Sequence, residues 1–223
     1  YTVKDTLSLH DALPISQRDT LLYPAAVYGV EADVQAPGGI PTNLTGTLYL
    51  LDDYQEQGGR AVGILAQQAL GSTALTFQDQ PSVYGVLKAV PDSATHPDLL
   101  PTYNGNVPTI QQAQALTLGC APLATEAITL LQGSNPGGPA VVEGLVSQGG
   151  GKTGMGPAAD VPLIFRDEND ELAFYRVTDA QGRFVLDGIA PGTYTVRADS
   201  LGVDNAQAPE LTVQADTQQA SFE

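Results

Sequence analysis

Oily and wettable side chains alternate along much of the chain, most clearly between Val141 and Ala215. Turn residues recur there at roughly the eight-to-twelve-residue spacing of a β-sandwich. Val141 to Ser147 reads as a first strand. In Val161-Pro-Leu-Ile-Phe-Arg-Asp, the residues Val161, Leu163 and Phe165 share one face, because side chains along a strand alternate with a period of two. An acidic turn, Glu168-Asn-Asp-Glu171, precedes a returning strand over Leu172 to Thr178. The turn Asp179-Ala-Gln-Gly182 leads into Arg183-Phe-Val-Leu-Asp, and the tight Ala190-Pro-Gly192 into a strand in which Tyr194, Val196 and Ala198 point inward. Glu210-Leu-Thr-Val-Gln-Ala supplies a further strand. Helical periodicity is weak: Thr109 to Leu118 lacks a long apolar stripe and fits a turn leading into a strand equally well.

The upstream half repeats the plan. Thr45-Gly-Thr-Leu-Tyr-Leu-Leu-Asp-Asp parallels Ala159-Asp-Val-Pro-Leu-Ile-Phe-Arg-Asp, and Pro81-Ser-Val-Tyr84 parallels Pro191-Gly-Thr-Tyr194. The pattern predicts an all-β chain of two tandem antiparallel β-sandwich modules. The first spans 17–132, enlarged by an excursion over 91–108 and closed by strands at 115–118 and 126–132. The second spans 140–223. Between them, Gly133-Ser-Asn-Pro-Gly-Gly-Pro139 is a breaker-rich linker expected to act as a hinge.

Residues 1–16 stand apart. Thr6 to Ser16 reads TLSLHDALPIS, the translation of a common sequencing adapter in one frame, and is expected not to be native. The gene is then expected to be truncated, so that the missing signal peptide says nothing about export.

Composition narrows the function. With 25 acidic against 9 basic residues the net charge is −16, and the pI is about 4.1. Such a field repels nucleic-acid phosphates and anionic lipid headgroups alike. No apolar run approaches the roughly 18 residues of a membrane-spanning helix. Cys120 is the single cysteine, which excludes an intrachain disulfide; within Ala115-Leu-Thr-Leu-Gly-Cys it reads as a buried thiol rather than a nucleophile.

The stretch Thr178-Asp-Ala-Gln-Gly-Arg-Phe-Val-Leu-Asp-Gly-Ile-Ala-Pro-Gly-Thr-Tyr-Thr-Val-Arg-Ala resembles the carboxypeptidase regulatory-like superfamily, also called transthyretin-like or B-type repeat. It carries the Thr-Asp-x-x-Gly-x-Phe turn and the Pro-Gly-x-Tyr turn, and the resemblance covers 142 to about 215. Gly182 permits positive φ, Phe184 re-enters the core, and Pro191-Gly192 aims Tyr194 inward. The first half is similar to modules of the same family in Bacteroidetes-type surface and gliding-associated proteins, at Leu87-Lys-Ala-Val-Pro-Asp-Ser and Leu100-Pro-Thr-Tyr-Asn-Gly-Asn. There Leu70-Gly-Ser-Thr-Ala-Leu-Thr-Phe77 replaces the Thr-Asp turn. The resemblance implies an Ig-like, prealbumin-like sandwich that serves as a spacer in adhesins, beside enzyme domains, or at the periplasmic start of outer-membrane receptors. In none of these settings is the module itself catalytic.

Side chains suited to chemistry are few. His96, in the polar loop Ser93-Ala-Thr-His-Pro-Asp, reads as a surface residue rather than a general base. Gly149-Gly-Gly-Lys-Thr153 lacks the leading glycine and the following helix of a phosphate loop and reads as a flexible connection. Asp167, Asn169 and Glu171 alternate oxygen ligands as calcium prefers, yet sit where a hairpin turn is needed anyway; Asp52 and Asp53 offer a smaller version of the same choice. Of Tyr23, Tyr28, Tyr49, Tyr54, Tyr84, Tyr103, Tyr175 and Tyr194, periodicity places Tyr84 and Tyr194 in cores, and Tyr103 is the exposed candidate for stacking on a sugar.

No catalytic, cofactor or metal residue is assigned. The expected function is a non-catalytic structural spacer of a larger secreted or cell-surface protein, its partner being the rest of its own polypeptide. Two other readings stay open: adhesion to a glycan or surface protein through 91–108 and Tyr103, and a self-assembling fibre in which Leu22 to Val34 is donated to the sheet edge of another copy.

Overall fold

The computed structural model describes residues 28–39, 43–56, 59–71, 75–80, 84–119, 123–135, 137–147, 156–199, 209–214 and 217–222. The adapter-like residues 1–16, Tyr23, Cys120 and the Gly149–Thr153 run lie outside them, as does the side chain of Tyr54. Among the described residues there is no helix. Thr109 to Ala113 forms a turn in which the Gln112 and Ala113 amides donate to the Thr109 carbonyl.

Among the described residues, ten strands fill the N-terminal half: β1 (Tyr28–Gln35), β2 (Gly46–Glu56), β3 (Gly59–Ala69), β4 (Leu75–Gln80), β5 (Tyr84–Pro91), β6 (Leu99–Leu100), β7 (Thr102–Tyr103), β8 (Leu116–Thr117), β9 (Thr125–Thr129) and β10 (Leu131–Gln132). Seven follow: β11 (Ala140–Val146), β12 (Pro162–Arg166), β13 (Leu172–Val177), β14 (Arg183–Ile189), β15 (Gly192–Ala198), β16 (Glu210–Val213) and β17 (Thr217–Phe222).

The two halves repeat one topology. A three-stranded sheet, β4-β1-β9, faces β3-β2-β5-β7 in the first; β14-β11-β17 faces β13-β12-β15-β16 in the second. The pairings are antiparallel except β1 with β9 and β11 with β17, which run parallel. β1 is therefore the central strand of its own sheet from Tyr28 onward, so the expected donor segment Leu22–Val34 is not available for another copy over its described part.

Each half has a core between its sheets. Val30, Leu48, Leu50, Phe77, Leu87 and Ile128 fill the first. Val142, Leu163, Phe165, Phe174, Phe184 and Tyr194 fill the second, where the rings of Phe165 and Phe174 stack with centroids 4.7 Å apart. The turn before β14 is built as its residues dictate. Asp179 Oδ1 accepts from the Gln181 and Arg183 amides, and Gly182 adopts φ 73° where a side chain would collide with the Val146 carbonyl.

The 133–139 segment is not a free hinge. Its amides at Ser134 and Asn135 donate to the Leu172 and Ala173 carbonyls, and Gly138 donates to Gly188. The segment thereby lies along the open edge of β13. The 91–108 stretch is likewise no separate excursion, since it supplies β6 and β7 and runs through the contact between the halves.

Candidate functional site at the seam between the halves

Residues on the far side of each larger sheet are also buried. On β5, Leu87 and Ala89 enter the first core while Lys88 and Val90 point the other way; on β12 and β13, Ile164 and Tyr175 stand opposite each other, away from the second core. These outer faces meet. Leu100, Ile164 and Tyr175 form a buried cluster, with Val90, Leu131, Leu172 and Val177 packed around it. Full burial of an aliphatic side chain such as Leu100 or Ile164 contributes about 1.5–3 kcal/mol. The Tyr175 hydroxyl donates to the Pro91 carbonyl across the seam, and Arg197 Nη2 donates to Gln111 Oε1 at 3.3 Å.

Beside this cluster sits a charge pair. Lys88 Nζ lies 2.8 Å from Asp199 Oδ2, with side chains only 2% and 9% exposed. The ammonium also donates to the Asp199 carbonyl at 3.1 Å and stands 5.3 Å from the Tyr103 ring centroid. The Tyr103 hydroxyl donates to Asp199 Oδ1 at 3.0 Å. Oδ2 has no aligned hydrogen-bond donor, so its contact with Lys88 is ionic rather than directional. Taking two charges out of water is costly, and the desolvation is offset only by close pairing and added hydrogen bonds of this kind.

Two tyrosines depart from expectation here. Tyr103, expected to be exposed, is 1% accessible because it packs with Leu51, Val86 and Ala113 of its own half, whereas Tyr84, expected in the core, is 54% accessible. The reason for Tyr84 is register: the inward positions of β5 are Leu87 and Ala89, so Tyr84 falls on the outward face. Tyr194 is buried as expected and donates to the Ala190 carbonyl at 2.8 Å. Burial pushes the phenols of Tyr175 and Tyr194 up from their ordinary value, with the charges of Asp92 and Asp167 respectively adding to it.

The remaining candidates are held in turns. Asp167 Oδ1 accepts from the Asn169 and Glu171 amides, which commits that carboxylate to shaping the hairpin. Among the described residues no three His, Cys, Asp or Glu side chains gather as a metal site. His96 is half-buried and its Nε2 accepts from the Thr45 amide at 3.1 Å. Asp52 is half-buried at the far end of β2 from the seam. Lys88 and Asp199 escape sequence reasoning: a lysine inside an apolar run carries no local signal of what pairs with it.

The second half thus carries the Asp179–Gly182 turn, the inward Phe184 and the buried Tyr194. Residues 142–222 match the family model of the carboxypeptidase regulatory-like domain. No curated protein matches the chain. Among solved structures it is similar to the TIE protein of Bacillus anthracis, at 11% identity over 89% of this chain and 34% of that one, with a TM-score of 0.30. It is also similar to the minor pilin GBS52 of Streptococcus agalactiae, at 13% identity over 87% of this chain and 94% of that one, with a TM-score of 0.31. For the shaft pilin SpaA of Lactobacillus rhamnosus GG the figures are 10%, 88%, 97% and 0.30. The chain thus spans about a third of the length of the TIE protein. Likenesses this distant carry no functional assignment. The matched segment contributes Ile164, Tyr175 and Asp199 to the seam; Lys88, Leu100 and Tyr103 come from outside it.

Proposed function

We propose that the chain is a non-catalytic structural segment of a larger secreted or cell-surface protein, in which modules 17–132 and 140–223 act as one stiff unit. The observation that carries this reading is the Lys88–Asp199 pair, buried between the halves beside the apolar cluster of Leu100, Ile164 and Tyr175. An apolar patch alone lets two faces slide; a buried pair with one close partner fixes their registration, because any shift strands a charge out of water. A spacer needs that fixed registration, and it needs solubility, which the net charge of −16 supports.

At β13, and at Val185 of β14, edge protection speaks against the fibre reading, while β3, β4, β9 and β16 are further edge strands. Backbone of 134–135 occupies the edge of β13, and Arg176 Nε donates to the Val185 carbonyl of β14 at 3.2 Å. Edges closed in this way offer no template to another copy.

Thermal unfolding followed by calorimetry tests the proposal. One cooperative transition is expected for the intact chain, and Lys88→Met is expected to separate it into two. Two independent transitions in the unaltered protein, or turnover of a substrate by purified material, would overturn it.

A further inference from the structure

Beside the charge pair the seam opens into a cleft of about 680 Å³, with Lys88 and Asp199 in its lining. Its size lies within the roughly 300–1,000 Å³ of ligand sites, which favour the junctions between domains. One wall is the outer face of the first half's larger sheet. Strand pairing sets Gln67, Tyr49 and Lys88 side by side across β3, β2 and β5. Directly paired side chains on one face stand about 5 Å apart. Tyr49 is half-buried, Gln67 is exposed, and Ile64, 54% accessible, extends the wall along β3. The other boundaries are Asp92 and Ser93 at the end of β5 and Asp160 from the second half.

From this arrangement we infer that the cleft binds a neutral oligosaccharide of pyranose units. Tyr49 and Ile64 give an apolar surface for the C–H face of a ring. Gln67 adjoins the aromatic ring and offers an amide that both donates and accepts, the requirement of neighbouring hydroxyls. Ser93 and Asp160 provide further polar groups at the opposite side.

Charge selects against acidic ligands. The Lys88 ammonium is already neutralised by Asp199, which leaves Asp92 and Asp160 as the ionisable side chains facing the cleft. An anionic sugar would meet two carboxylates and no free cation among the described lining residues. This site replaces Tyr103 as the aromatic contact, since Tyr103 is closed off among Leu51, Val86 and Ala113. The inference stands apart from the spacer reading: a stiff unit that binds no sugar, or a sugar binder whose halves unfold separately, would each leave one of the two intact.

The test is calorimetric titration of the full chain with cellohexaose, chitohexaose and mannohexaose, with trigalacturonate as the acidic counterpart. At least one neutral probe is expected to bind, with affinity reduced about tenfold or more in Gln67→Ala and Tyr49→Ala, in line with losses at central contact residues. Tyr84→Ala, an exposed tyrosine outside the cleft, is expected to bind as the unaltered chain does. Gln67→Ala alters an exposed side chain, so its result does not hinge on the variant's folding. The inference is overturned if no neutral probe binds at millimolar concentration, if binding survives both cleft substitutions, or if trigalacturonate binds as tightly as the neutral sugars.

Discussion

Lys88 on β5 and Asp199 just after β15 are 111 residues apart in the chain, yet the lysine ammonium donates to the aspartate's own backbone carbonyl and lies 2.8 Å from its carboxylate. Each partner answers the other's burial, so removing one leaves an uncompensated charge buried between the halves. Lys88→Met or Asp199→Leu is expected to destabilise the chain by about 3–5 kcal/mol. The double variant Lys88→Met, Asp199→Leu is expected to recover much of that loss, because no charge is left stranded. Denaturant unfolding of the three variants measures the coupling; additive losses would show that the pair does not act as one.

At alkaline pH the seam is expected to weaken through Tyr175. Its phenol is raised above the ordinary 10.0 chiefly by burial, so the folded state holds the proton more tightly than the unfolded one. The stability linked to it is complete below pH 10.0 and is lost as pH rises beyond that toward the folded-state value. Tyr175→Phe abolishes the titration and the bond to Pro91, costing about 1 kcal/mol at neutral pH. Its deficit relative to the unaltered chain is expected to shrink as melting is followed above pH 10.0. A deficit that stays constant would remove Tyr175 from the alkaline limb.

Much of this architecture is legible in the residues, and the failures have physical causes. Alternation correctly places Leu163, Phe165, Tyr194 and Val196 in the second core. It misplaces Tyr84 because it assumes that each sheet has one wet face, and the Asn-Gly stretch after Tyr103 suggests an exposed excursion where the ring instead packs against Leu51 and Val86. The larger sheets have apolar residues on both faces, as in Val86-Leu87 and Leu163-Ile164-Phe165, where continuous runs replace alternation. Such runs mark strands covered on both sides, and that was the available signal for the seam. With both faces apolar, pairing Tyr84 with Tyr194 cannot be told from a pairing shifted by one residue, and a shift of one exchanges the faces. The parallel partners of β1 and β11 arrive from nearly a whole half away, and local pattern does not encode them.

Acid is expected to act through Asp92, at the rim of the cleft. Its carboxyl is held below the ordinary 3.8, first by the Ala94 amide, against the opposing effect of burial, and then by Thr95 and the nearby His96. A lowered folded-state value means that the contribution is present above pH 3.8 and is lost as pH falls through that lower value. Asp92→Asn keeps an acceptor for the Ala94 amide but cannot titrate. The melting temperature of the unaltered chain is expected to fall toward that of Asp92→Asn below pH 3.8. Parallel curves across that range would show that the turn is indifferent to the charge.

The segment joining the halves gives the sharpest steric prediction. Gly133 donates its amide to the Asp98 carbonyl, and the two residues after it hydrogen-bond along β13. A β-carbon at Gly133 would collide with the Ala173 carbonyl oxygen, which is backbone and cannot swing aside as a side chain would. Gly133→Ala must therefore lift the segment from the edge of β13 or displace the strand, and strain of this type costs about 1–3 kcal/mol. Hydrogen exchange is expected to quicken at the Ser134 and Asn135 amides, while the Val142 and Phe165 amides in the second core keep their protection. Lifting the segment also bares the β13 edge, so concentration-dependent association should accompany the loss of stability. Unchanged exchange at Ser134 and Asn135 would mean that the segment is held by something other than its seat on that strand.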